Sequence, residues 1–316
     1  MGNSSRRSST NVAAIDAGSN GMRLAIGRID EDGEFRELEC IRMPVRLGAD
    51  TFSTGTFSDA TMDAAVAAFG LFAGRIKAND VEHVRAVATS ATRDASNGAA
   101  LVARIEAATG IHVEIIDGVE EAHLVFAGVA AAVDLSGRSA VLIDMGGGSV
   151  EVTVARNGAA LGCEALSLGC VRLLSQLEAG GKTESDLDEI LAPFRGAPAG
   201  LLRAELGKQA PDIGVGTGGN LECLGRLRVP LLGKKKIGKV KADDLDAMID
   251  ILLGLTPEQR ASRFELRPDR ADVIAIAAIV LRMIMRDAGV ARILTPPGVG
   301  LAQGLLQQLA VRVRAD

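Results

Sequence analysis

The sequence predicts an α/β protein of two similar domains, and three observations carry that reading. Strand-length apolar runs alternate with helix-spaced segments along the chain. A unit of strand, acidic residue, glycine-rich turn and strand occurs twice, as VAAIDAGSNGMRLAIGRI and as VLIDMGGGSVEVTVAR. The chain has 316 residues, 47% of them hydrophobic, which is more than one core usually organises.

The first strand is VAAID, which stops at Asp16; AGSNG then turns the chain, and Met22 to Ile29 returns as a second strand. The EDG at 31–33 and the apolar positions from Leu38 to Met43 predict a third. Asp59 to Ile76 has helical spacing behind an acidic start. Strands at Val84–Ala88 and His112–Ile116 flank a helix over Asn97–Thr109, and a further helix covers Val119–Val133. At Ala140 the opening pattern returns. Laying Asp16 on Asp144 puts Gly18 on Gly146, Gly21 on Ser149, Leu24 on Val152, Ile26 on Val154 and Arg28 on Arg156. Beyond it, helices are expected near Leu173 and over 183–206, 241–253 and 268–289, with a strand at Ile213–Val215 and a terminal helix from Gly300 to Arg312. The expected organisation is a disordered tail (1–11), one domain over 12–133 and a second over 134–316, with a tight hinge near 130–138 that the terminal helix can cross.

Composition excludes several function classes. The 35 basic and 40 acidic residues nearly cancel, and with no Trp, no Tyr and 8 Phe there is no aromatic platform for stacking bases, so a nucleic-acid partner is not expected. Cysteines 40, 163, 170 and 223 form no CxxC pair, and His83, His112 and His123 are too scattered to complete a zinc site with them. Reduced thiols in a cytoplasmic protein are the expectation. The longest apolar run, Val273 to Leu281, falls short of the roughly 20 residues a membrane helix needs. The opening MGNSSRRSST has no apolar core for secretion, and Arg6 stands where myristoylation prefers Ser or Thr.

Three glycine-rich turns carry the candidate chemistry: Gly18-Ser19-Asn20-Gly21, Gly146-Gly147-Gly148-Ser149 and Gly216-Thr217-Gly218-Gly219-Asn220. Glycine lets backbone N–H groups crowd a phosphate without a Cβ in the way, and the third turn opens an apparent helix whose N-terminus adds positive partial charge. Asp16 and Asp144 end the strands before two of these turns; hard carboxylates beside a phosphate cradle suit Mg²⁺.

The segments DAGSNGMRL, ATSATRDASNG, IDGVEEAHLVFAGV, LIDMGGGSVEV, LGCVRL, GTGGN and RPDRADVI resemble the successive motifs of the exopolyphosphatase and guanosine pentaphosphate phosphohydrolase family, in order, from about residue 12 to 308. The resemblance implies duplicated ribonuclease H-like domains of the actin, sugar kinase and heat-shock ATPase type around an interdomain cleft, in the short form without an added helical domain. It implies Mg²⁺, with Mn²⁺ as the alternative, at Asp144 and Glu151 with Asp16 nearby, and Gly146, Gly147, Gly148 and Ser149 around a phosphate. It makes Glu121 the catalytic carboxylate, with Glu120 a helix-start acid, and Arg93 a clamp on phosphoryl oxygens whose bland alternative is an ion pair with Asp94. The implied activity is removal of terminal orthophosphate from inorganic polyphosphate, or hydrolysis of guanosine pentaphosphate, by a cytoplasmic homodimer. An ATP-dependent kinase and a non-catalytic sensor are rivals of other classes. One departure is Gly21, where the family's turn commonly ends in serine; it removes a hydroxyl donor. The densest basic run, Lys234, Lys235, Lys236, Lys239 and Lys241, is either a solvated loop or a guide for a polyanion.

Overall fold

A computed structural model describes residues 9–30 and 35–315. The N-terminal lobe contains β1 (Thr10–Gly18), β2 (Gly21–Ile29), β3 (Phe35–Met43), α1 (Leu47–Thr54), α2 (Asp59–Ala78), β4 (His83–Ala88), α3 (Ser90–Asp94), α4 (Gly98–Thr109), β5 (Val113–Ile115) and α5 (Gly118–Ala132). The C-terminal lobe continues with β6 (Ser139–Met145), β7 (Val150–Arg156), β8 (Ala159–Leu166), α6 (Cys170–Ala179), α7 (Leu187–Leu191), α8 (Ala197–Leu206), β9 (Ile213–Thr217), α9 (Gly219–Leu232), β10 (Lys239–Lys241), α10 (Ala242–Leu253), α11 (Pro257–Phe264), α12 (Pro268–Ala271), α13 (Ile274–Asp287), β11 (Arg292–Leu294) and α14 (Leu301–Ala315).

The two sheets repeat one topology. The first runs β3-β2-β1-β4-β5 and the second β10-β11-β9-β6-β7-β8. In each, an antiparallel meander (β1–β3, β6–β8) continues through a parallel partner of its first strand (β4, β9) and a parallel neighbour of that partner (β5, β11). The hairpin registers coincide: Asp16 faces Arg23 across β1 and β2 as Asp144 faces Glu151 across β6 and β7. The duplication seen in the sequence is thus a duplicated α/β fold.

The central strands explain why VAAI and AVLI are unbroken apolar runs: both faces are buried. Val12 and Ala14 of β1 and Ala140 and Leu142 of β6 enter a middle core shared by the two lobes. Their alternates, Ala13 and Ile15 on one side and Val141 and Ile143 on the other, enter the outer core of each lobe. In the N-terminal outer core Phe69 and Phe72 meet edge to face at 5.8 Å, an arrangement worth about 1 kcal/mol beyond its area. Leu124, Val125 and Val129 of α5 and Leu301, Leu305 and Leu309 of α14 fill the middle layer. These two helices touch backbone to backbone, since a Cβ at Gly304 would lie 1.8 Å from the Leu124 carbonyl oxygen. The C-terminal helix therefore packs against α5 and β1 of the N-terminal lobe.

Several sequence expectations need correction. The helix expected over 183–206 is broken into α7, α8 and short 3₁₀ turns, because Pro193 and the left-handed Gly196 interrupt it. The one expected over 268–289 breaks between α12 and α13 at Asp272 and Val273. Strands β8, β10 and β11 and helices α1, α3 and α11 have no counterpart in the sequence reading. Of the expected tail, residues 1–8 lie outside the described residues, and β1 already begins at Thr10. The EDG turn at 31–33 also lies outside them. The apolar run from Val273 to Leu281 forms most of α13, which is buried almost throughout; among the described residues no helix is long and apolar enough to cross a membrane. All four cysteines are free thiols.

Candidate active site

Strand alternation aims the site. Asp16 follows Ala14 by two residues on β1 and Asp144 follows Leu142 by two on β6, so both carboxylates share the face turned to the middle layer. Arg23 and Glu151, opposite them in register, share that face as well. Between the strand ends α5 begins. Asp117 caps it, its carboxylate accepting from the Glu120 N–H at 2.8 Å. One residue on, Glu121 turns inward while Glu120 turns out to an ion pair with Arg85 at 2.6 Å. Glu121, Asp144 and Glu151 thereby each bring a carboxylate oxygen within 4.8 Å of the others.

Oε2 of Glu121 and both carboxylate oxygens of Glu151 are buried without a hydrogen-bond partner among the described residues. Three crowded carboxylates, two of them with orphaned oxygens, form a hard, all-oxygen donor set that fits a divalent cation. Asp16 is half-buried nearby, outside this trio, with Arg23 facing it. Asp144 accepts from the Thr217 hydroxyl at 2.6 Å, which fixes its orientation. Burial pushes Glu151 up to about 8, with Asp144 adding to the rise, and pushes Asp16 up to about 6. Burial, then Glu151 and Asp144, raise Glu121 well above the ordinary carboxylate range.

The glycine turns at 18–21 and 146–149 abut. A Cβ at Gly148 would lie 1.7 Å from the Ser90 hydroxyl and 2.8 Å from that of Ser19, so a side chain there would displace both. Ser19 and Ser90 hydroxyls are 3.2 Å apart, and the Ser19 carbonyl accepts from the Gly48 N–H of α1 at 2.8 Å. Arg172 of LGCVRL donates to the Gly148 carbonyl at 2.7 Å, pairs with Asp94 at 2.5 Å and stacks over Phe52, tying the second turn to the N-terminal lobe. Asp94 is thus the partner of Arg172. Arg93 donates instead to the Ile116 carbonyl and stands 3.9 Å from Glu121, at the edge of the cluster.

The cleft between the lobes, with a cavity volume of about 140 Å³, is lined by both abutting turns, Asp16, Glu121 and Asp144. The third turn contributes only in part. Gly218, Gly219 and Asn220 line the cleft, whereas Gly216 packs within β9 against Ile293 and Leu221, and the Thr217 hydroxyl is spent on Asp144. The phosphate contacts expected of Gly216 and Thr217 are therefore corrected: strand pairing places both beneath the cleft floor.

Sequence reasoning passed over Arg23, Arg42, Thr89, Ser90 and Arg270, all of which line the cleft. Arg23, Thr89, Ser90 and Arg270 lie inside the family-like motif segments, which is their only signal, and Arg42 lies outside them. The Arg270 segment is braced by Arg260, which is fully buried and bonds Glu184, the Leu252 carbonyl and the Ala271 carbonyl. Arg260→Ala would strand the Glu184 carboxylate and is expected to cost about 3–5 kcal/mol of stability, measurable by urea unfolding.

The carboxylate cluster also sets a pH dependence. Its folded pKa values are raised, so in the metal-free protein the native state binds more protons than the unfolded chain between the ordinary carboxylate range and about 8. Stability should therefore fall as pH rises through that window. A bound divalent cation holds the carboxylates ionised and removes the penalty, so the Mg²⁺-induced rise in Tm should be larger at pH 8 than at pH 6. Thermal melts at both pH values check this; equal shifts would place the cation away from the cluster.

A family model for the Ppx/GppA phosphatase family matches residues 26–310. The chain is 31% identical over 291 residues to exopolyphosphatase 2 of Mycobacterium tuberculosis, covering 88% of this chain and 91% of that protein. It is 30% identical over 217 residues to the guanosine-5'-triphosphate,3'-diphosphate pyrophosphatase of Aliivibrio fischeri, covering 67% of this chain and 42% of that protein. An exopolyphosphatase-like protein of known structure superposes with a TM-score of 0.80 at 27% identity, covering 98% of this chain and all of its own. An exopolyphosphatase from Cytophaga hutchinsonii shares the fold at a TM-score of 0.83 and 24% identity, covering 96% of this chain and 98% of its own.

Proposed function

Because this chain belongs to the Ppx/GppA phosphatase family, we propose that it is a phosphoanhydride hydrolase that removes terminal orthophosphate from inorganic polyphosphate. The observation that carries this reading is the buried trio of Glu121, Asp144 and Glu151, with its orphaned oxygens, beside two abutting glycine turns. A divalent cation, Mg²⁺ with Mn²⁺ as the alternative, would be held by Asp144 and Glu151 with Asp16 close by, and when bound supplies positive charge to phosphoryl oxygens.

The chain's own groups account for the rest. Backbone N–H groups of the turns at 18–21 and 146–149, with the Ser19 and Ser149 hydroxyls, bind the terminal phosphate, and Arg93, 3.9 Å from Glu121 at the edge of the cluster, is the clamp on a phosphoryl oxygen. Glu121 orients a water in line and accepts its proton as the new P–O bond forms and the bridging P–O bond breaks. Orthophosphate and a chain one unit shorter leave.

Hydrolysis of guanosine pentaphosphate is the second reading, favoured by the match to the Aliivibrio fischeri protein. A cytoplasmic homodimer completes the proposal on the family resemblance alone. The test is orthophosphate release with Mg²⁺ from long polyphosphate, triphosphate, guanosine pentaphosphate and ATP side by side, with no acceptor. Release from polyphosphate is expected. Release from guanosine pentaphosphate alone would select the second reading; binding without any release would select a sensor, and dependence on an acceptor a kinase.

Strand directions put the loop before β10 at the end of the sheet that carries the cleft turns, although none of its lysines lines the cleft. β11 runs parallel to β9 and β6, whose ends carry the cleft turns, and β10 is antiparallel to β11 with Lys239 opposite Leu294. The loop from Gly233 to Gly238 thus lies at the cleft end of the sheet. Lys234 and Arg228 share Asp244, while Lys235 and Lys236 are exposed. Replacing Lys234, Lys235 and Lys236 by Ala should raise KM for long polyphosphate more than for triphosphate, leave kcat for triphosphate unchanged and flatten the salt dependence. Equal effects on both substrates would make the run a solvated loop.

A further inference from the structure

Arg42 stands at the first glycine turn because residue 21 has no side chain. A Cβ at Gly21 would lie 2.7 Å from Nη2, 2.9 Å from Cζ and 3.0 Å from Nε of Arg42. The guanidinium comes from the neighbouring strand, where Arg42 faces Arg23 across β2 and β3. One of its nitrogens is fixed: Nη2 donates to the Asn20 carbonyl at 2.6 Å and to the Asp269 carboxylate of α12 in the opposite lobe. Asn20 completes the ring by donating from its amide to the Asp269 carbonyl at 2.9 Å. Nε and Nη1 of Arg42 have no hydrogen-bond acceptor among the described residues, and the side chain lines the cleft. Asp269 does not cancel the charge, since it also accepts from Arg267 at 3.1 Å, leaving two cations to one carboxylate.

We propose that Arg42 is a phosphate-binding residue of this cleft, admitted by Gly21 and held ready by Asn20 and Asp269, that donates from its free nitrogens to a phosphoryl oxygen of the bound polyanion. The inference rests on the phosphohydrolase reading and deepens it. It also answers the departure at position 21: a cationic donor enters the turn from β3 in place of the hydroxyl that a serine would supply. A guanidinium already anchored at one nitrogen loses little side-chain freedom when a phosphate arrives, which favours binding.

The test is calorimetric binding of inorganic triphosphate in the Glu121→Gln background, which reads affinity without turnover. Arg42→Ala should raise Kd about 10- to 100-fold, the effect of losing one charge-assisted hydrogen bond. Gly21→Ala should weaken binding comparably, because its Cβ displaces the flexible end of Arg42 rather than the backbone and brings no hydroxyl in its place. In the double variant the two losses should not add, since both remove the same guanidinium. Should Arg42→Ala fail to fold by circular dichroism, Arg42→Gln, which keeps part of the stem, takes its place in the cycle. An unchanged Kd in a folded Arg42 variant, even with a lowered Tm, would make Arg42 only a latch between the lobes and overturn the proposal. So would losses that add. Absence of triphosphate binding in the parent itself would instead sink the phosphohydrolase reading, before Arg42 is tested.

Discussion

Glu121→Gln is expected to lower turnover by about 10² to 10⁴, the range for removing a positioned general base, while leaving triphosphate affinity nearly intact. The amide keeps the length and shape of the side chain at the start of α5 and removes the basicity. Glu120→Gln, one residue away, should change turnover little, since its carboxylate is half exposed and paired with Arg85. Rates for both variants on triphosphate at saturating Mg²⁺ decide the matter. Near-normal turnover in Glu121→Gln with an inactive Glu120→Gln would reverse the assignment.

Asp144→Asn and Glu151→Gln should each raise the Mg²⁺ concentration for half-maximal activity by about tenfold or more, because an amide oxygen is a poorer ligand for a hard cation than a carboxylate. Activity should partly return at high Mg²⁺. The same substitutions carry an opposite expectation for stability without metal. Glu151 is buried with both oxygens unpartnered and is held up to about 8 by burial and by Asp144, so Glu151→Gln should leave the metal-free Tm unchanged or raise it. A variant that binds metal worse yet melts no lower is the signature of a site kept for function. If both variants retain the wild-type Mg²⁺ midpoint, the metal is held elsewhere.

By itself the sequence determined the features that short-range chemistry sets. Alternation and run length marked β1, β2, β6 and β7 because strands buried on both faces need continuous apolar residues, and the repeated Asp and glycine turn marked the duplication because a close backbone turn needs residues without side chains. Glu121 was legible for the same reason, as the second of two acids at a helix start in a motif of fixed order. The broken helix over 183–206 was misread although Pro193 and Gly196 were in plain view, because the apolar spacing on either side outweighed them.

Only the tertiary structure decided which distant groups meet. Arg42 and Asp269 are 227 positions apart, and no local pattern marks either as the other's partner. Arg172 reached Asp94, leaving Arg93 beside Glu121, although the sequence made Asp94 the nearer partner of Arg93. Gly216 and Thr217 look like a phosphate turn until parallel pairing with β6 places Thr217 opposite Asp144. Periodicity encodes which face of an element is buried. The identity of the groups facing it across a cleft is set by the relative placement of two lobes, a sum of many weak apolar contacts in the middle layer that no single segment of the chain contains.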